Sequence, residues 1–197
     1  MSPQQGDRVI EVGAVRLEAG HIVDQFQSLI NTEVPLAPFI TDLTGISDFM
    51  LANAPVASLV INDFQRFIGS SPLVAHNASF DKRFLDAEFA RHALPTPSQI
   101  GCSMLAARRI FPEAPNHKLG TLISYLKLPR ARRFHRALDD ASMTAVLWRH
   151  LEQELITNHG FDEVPFSLMQ RLGRVPCSRA AEFLRQAAKK QQEGRGC

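Results

Sequence analysis

The stretch LVAHNASFDKRFL, residues 73–85, compresses a strand, a turn and the opening of a helix into one run. Leu73, Val74 and Ala75 form a short apolar strand, and His76 and Asn77 end it with residues that favour turns. A helix is expected from Ser79 to about His92, closed by LPTPSQ. Phe84, Leu85 and Phe89 recur at the spacing of a buried face. Asp81 opens that face. A carboxylate taken out of water is costly unless it meets a positive partner or a metal, although a first-turn position offers some help from the helix dipole.

The same anomaly recurs in FHRALDDASMTAVLWRHL, residues 134–151. On a helix starting near Ala137, the positions Ala137, Ala141, Thr144, Leu147 and Leu151 line one stripe. Asp140 falls on it and Asp139 does not. Two inward acids on separate helices suit a shared hard cation, Mg²⁺ or Mn²⁺, which takes oxygen ligands. His135 lies just before the second helix, where an imidazole titrating near neutrality serves as a general base. Lys118, Arg130, Arg132, Arg133 and Arg136 form the concentrated basic patch, and arginine forks match phosphate oxygens. Together these residues suggest hydrolysis of a phosphate ester by metal-activated water. Each has a plainer role as well: Asp81 and Asp140 as first-turn acids, His135 as a loop residue, and the arginines as a solvated face.

Outward from these motifs, residues 8–30 read as two strands joined at Gly20, apolar enough on both faces to need cover on each side. Residues 35–55 read as short helical turns. Val56, Leu59, Val60, Phe64, Phe67 and Ile68 mark an amphipathic helix. Helices are also expected over 102–111, 118–126 and 137–155, with a helical tail beyond. The alternation implies an α/β layered domain. The 197 residues suffice for one core, and a net charge of +2 is too mild to name a nucleic-acid partner by itself. Three scattered cysteines and an N-terminus, MSPQQGDR, without an apolar core point to a reducing cytoplasm and no disulfide framework. No run approaches the roughly 20 apolar residues of a membrane span.

HNASFD (residues 76–81) resembles the second motif of the DEDDh 3′–5′ exonucleases, and HRALDD (residues 135–140) resembles their third, His-x-Ala-x-x-Asp. HKLGTLISYLKLP, DRVIEVGAV and LTGISDFMLANAP resemble the segments between and before these motifs, so the likeness runs from about residue 7 to 155. In appearance the chain is similar to the proofreading epsilon subunits of bacterial replicative polymerases. The resemblance implies a ribonuclease-H-like mixed sheet flanked by helices, and two Mg²⁺ or Mn²⁺ ions roughly 4 Å apart. It makes Asp81 and Asp140 the metal carboxylates and His135 the general base. Nucleoside 5′-monophosphates would be released from a single-stranded 3′ end, DNA being favoured, in association with a polymerase subunit. Asn77 would help order the second motif beside the nucleic acid.

The family's first motif, Asp-x-Glu on the first central strand, has no counterpart in these residues. The expectation is therefore a domain over residues 1–156 lacking that strand, with a start assigned too late, and a helical extension over 157–197. Asp81 and Asp140 alone balance too little of the charge of two divalent ions, so weak or single-ion binding is expected. The alternative is a non-catalytic nucleic-acid-binding or polymerase-associated relative.

Overall fold

The structure is a computed structural model describing residues 2–129 and 136–194. Two strands, β1 (Glu11–Glu18) and β2 (His21–Leu29), form an antiparallel hairpin, with Glu11 opposite Leu29 and Glu18 opposite His21. Ala19 and Gly20 both adopt positive φ, as a two-residue turn between right-twisted strands requires. Two short helices follow, α1 (Pro38–Thr44) and α2 (Asp48–Ala52), and then α3 (Ala57–Ile68). Strand β3 (Leu73–Ala75) leads into α4 (Ala78–Arg91). Strand β4 (Ile100–Cys102) runs directly into α5 (Ser103–Ile110), followed by α6 (Leu119–Tyr125) and the long α7 (Ala137–His159). The tail forms α8 (Phe166–Leu172) and α9 (Ala180–Glu193).

The strands make two separate pairs, β1 with β2 and β3 with β4. The second pair is parallel, Leu73 facing Ile100 and Ala75 facing Cys102. Strand β4, for which no element was expected, takes Cys102, the first residue of the helix expected over 102–111. Its three residues carry too little pattern to be separated from the helix by periodicity, and it is the pairing with β3 that extends them.

Two apolar clusters organise the molecule. One gathers Val12 and Ile30 with Val60, Ile61 and Phe64 of α3 and Phe89 of α4. The other gathers Leu122 and Ile123 of α6 and Leu147, Leu151 and Leu155 of α7 with Leu168, Met169 and Leu172 of α8 and Leu184 of α9. The boundary expected near residue 156 thus lies inside α7, and the described tail shares a core with α5–α7. Helix α7 stops at Gly160, whose φ of 74° closes the helix in a left-handed turn.

Cover for the hairpin differs from the expectation. Val12 is buried on the α3 side, and Gly13 meets the start of α7 on the other, so β1 is covered on both faces. Most of β2 is open, with Ile22 and Val23 exposed; Phe26 alone stacks inward, 5.4 Å from the Phe64 ring and 5.6 Å from that of Phe67. On α3, Ile61 takes an inward place, whereas Leu59 and, just before the helix, Val56 face out. The buried set Ala57, Val60, Ile61, Phe64 and Ile68 is one stripe, and Leu59 lies off it.

Candidate active site

The junction between β3 and α4 brings the first acid into place. Ala75 ends the strand and His76 ties it to two neighbours. Its Nε2 lies 2.9 Å from the His117 carbonyl oxygen and its Nδ1 2.9 Å from the Ser103 hydroxyl. A carbonyl only accepts, so Nε2 carries the hydrogen and Nδ1 accepts from Ser103. Burial pushes the His76 pKa down, which keeps the ring neutral for this bridge. Asn77 then turns the chain with φ of 69°, a conformation that Asn tolerates better than most residues, and α4 begins. Asp81 stands in its first turn, half-buried.

The second acid is placed by α7. Its first turn holds Asp139 and Asp140, and the Asp140 amide donates to the Arg136 carbonyl at 3.0 Å. The turn is anchored from β1. Glu11, whose side chain is 5% exposed, accepts from Arg136 Nη2 at 2.8 Å and Nε at 3.2 Å, and from the Ala137 amide at 3.0 Å. Gln27 adds a fourth bond at 3.0 Å. Burial pushes the Glu11 pKa up, but the bonds from Arg136, Ala137 and Gln27 outweigh it and hold the group below the usual carboxylate range.

Asp81 feels the charge of Asp140. The pKa of Asp81 is pushed up to about 6, chiefly by burial, partly offset by its own backbone amide, and further by the charge of Asp140. Two oxygen-only side chains whose charges oppose each other in a partly buried place fit a hard divalent cation. Among the described residues no group of three or more His, Cys, Asp or Glu is gathered for a metal. The fit is to one ion held by two carboxylates.

Other expected residues distribute as follows. Asn77 is exposed at the turn, with the Ser79 hydroxyl 3.5 Å from its Oδ1. Lys118 is exposed at the start of α6, next in sequence to the His117 carbonyl that His76 holds. Arg136, expected to face phosphate, has its fork engaged by Glu11. His135, Arg130, Arg132 and Arg133 lie outside the described residues. Sequence reasoning missed Glu11 as an anchor of α7, because its partner Arg136 lies 125 positions along the chain. It also missed Glu88, 1% exposed on the inner face of α4, which holds Arg8 at 2.7 Å and Arg91 at 3.0 Å.

The RNase_T family, described as "Exonuclease", matches residues 1–148. The chain is 38% identical over 157 residues to the DNA polymerase III PolC-type of Bacillus cereus, covering 79% of this chain and 11% of that protein. It is 39% identical over 158 residues to the corresponding protein of Oceanobacillus iheyensis, with 78% and 11% covered. It therefore spans about a tenth of the length of these relatives. Exonuclease X in complex with 5′ overhanging duplex DNA superposes with a TM-score of 0.63 at 26% identity, over 83% of this chain and 90% of that one. The nuclease domain of 3′hExo, a DEDDh family member bound to rAMP, shares the fold with a TM-score of 0.64 at 21% identity, over 75% and 82%. The chain belongs to the RNase_T exonuclease family.

Proposed function

We propose that this chain removes nucleotides from the 3′ end of single-stranded nucleic acid, DNA being favoured, and releases nucleoside 5′-monophosphates. The reading is carried by one observation: Asp81 and Asp140, from different helices, stand close enough that the charge of one raises the pKa of the other. Asp81 and Asp140 would hold Mg²⁺ or Mn²⁺. A bound divalent cation supplies charge neutralisation at the scissile phosphate and lowers the pKa of water. His135, one residue before the Glu11-held Arg136, would take the proton from the attacking water. Lys118, Arg130, Arg132 and Arg133 would meet phosphate oxygens, contacts that position a strand without reading its bases. Asn77 would face the nucleic acid from the turn before α4. The unit carrying the activity would be residues 1–156, with 157–197 as its helical extension, in a cytoplasmic protein associated with a DNA polymerase as the PolC-type relatives suggest.

The test uses the purified chain and a 5′-labelled oligonucleotide. Mg²⁺-dependent shortening from the 3′ end, abolished by chelator and reduced by orders of magnitude in D140N and D81N, is expected. An unchanged rate in D140N overturns the assignment. A second reading, a binding protein without catalysis, is favoured by the absence of a third acid beside Asp81 and Asp140 among the described residues. It predicts salt-sensitive strand binding with no Mg²⁺-dependent product.

A further inference from the structure

The acid that a metal-based reading leaves unused is Glu11. It lies on β1, nearly sealed from solvent, and its carboxylate is saturated by Arg136, the Ala137 amide and Gln27. With its charge committed in this way it is not a metal ligand. Gln27 braces it from β2, and the other two partners, Arg136 and the Ala137 amide, bear on one event, the start of α7. The residue preceding that helix, Arg136, makes no side-chain cap of its own. The first amides of a helix lack intrahelical acceptors, and here the strand acid accepts from the first of them. Two positions along β1, Gly13 allows the helix start to sit against the strand backbone. A Cβ there would lie 2.2 Å from the Leu138 nitrogen and 2.3 Å from the Ala137 carbonyl carbon. One side chain and one missing side chain on the same strand thus fix the turn that carries Asp140, which is bonded through its amide to the Arg136 carbonyl.

We propose that Glu11 is a positioning residue for the metal site: by clamping Arg136 and the Ala137 amide, it fixes the first turn of α7 and thereby the orientation of Asp140 toward Asp81. The inference rests on the reading of Asp140 as a metal ligand. Placing a ligand carboxylate requires its supporting contacts to be locked as well. The clamp also immobilises the chain at the residue after His135.

The full chain with Mn²⁺ alone, followed by electron paramagnetic resonance, tests it, with amide hydrogen exchange as a second readout. E11A is expected to weaken Mn²⁺ binding about tenfold, the scale of one lost charged hydrogen bond. It is also expected to speed exchange of the Asp140 amide at least tenfold relative to that of Leu151. E11Q, which retains an acceptor for the Ala137 amide, is expected to restore Asp140 protection toward the wild-type level. I61A, which opens a cavity in the cluster around α3, lowers the melting temperature and leaves Mn²⁺ affinity unchanged, separating positioning from general stability. D140N separates the clamp from the ligand assignment. Mn²⁺ binding lost in D140N but within twofold of wild type in E11A overturns the clamp, as does unchanged Asp140 exchange. Binding unaffected in D140N overturns the ligand reading itself.

Discussion

At Asp81, burial and a neighbouring carboxylate both disfavour the charge that a metal site needs. A group whose pKa is raised on folding, here from 3.8 to about 6, contributes stability below the lower value and loses it as pH rises through the upper one. Near pH 8 in chelator the ionised side chain therefore costs the fold on the order of 3 kcal/mol. D81N is expected to raise the melting temperature at pH 8 in EDTA and to have little effect at pH 3, measured by differential scanning calorimetry. Adding Mn²⁺ should stabilise the wild type and leave D81N unmoved. Glu11 and His76 titrate with the opposite sign. Both pKa values are depressed, so their contributions are present above the ordinary values and vanish as pH falls through the folded ones. The sequence singled out Asp81 and Asp140 because each interrupts an apolar stripe. Glu11 and His76 were not, because their roles depend on partners far along the chain. Glu11 and Arg136 are 125 positions apart, and no local pattern announces such a pair.

Among the elements, the sequence spoke most clearly where periodicity ran long. Helices α3, α4 and α7 stand within a few residues of their expected limits, and α7 continues to His159, where Gly160 permits the stop. Short elements were obscure: β4 has three residues, and only its parallel partner distinguishes it from the head of α5. The openness of β2 was hidden for a related reason, since Ile22 and Val23 look like core residues until the hairpin is docked. Docking is set by β1, and Gly13 is its contact point. G13A is expected to push the start of α7 away and lower stability by about 1–3 kcal/mol in urea unfolding, because the neighbouring atoms are backbone and cannot rotate aside. Phe89 on α4 is fully buried between α3 and the hairpin. F89A should cost about 3–5 kcal/mol in the same experiment.

For the whole molecule, the tail is part of the larger core. Leu168, Met169, Leu172 and Leu184 are buried against α5–α7, and Arg109 donates to the Val175 carbonyl at 2.8 and 2.7 Å. Truncation after His159 is expected to expose this face, seen as increased binding of a hydrophobic dye and a lower melting temperature; an unchanged melt would mean that the tail is a detachable module. The composition showed that a core of this size was affordable, but not that it would divide in two. That division gives the acids a mechanical meaning. Asp81 rides on the helix anchored by Phe89 in one cluster, and Asp140 on the helix whose later turns fill the other. A cation shared between them would rivet the halves together. It would add to the seam that Glu11 and Gly13 of β1 already make with the start of α7, so metal-loaded protein should melt at a higher temperature and in a sharper transition than chelated protein.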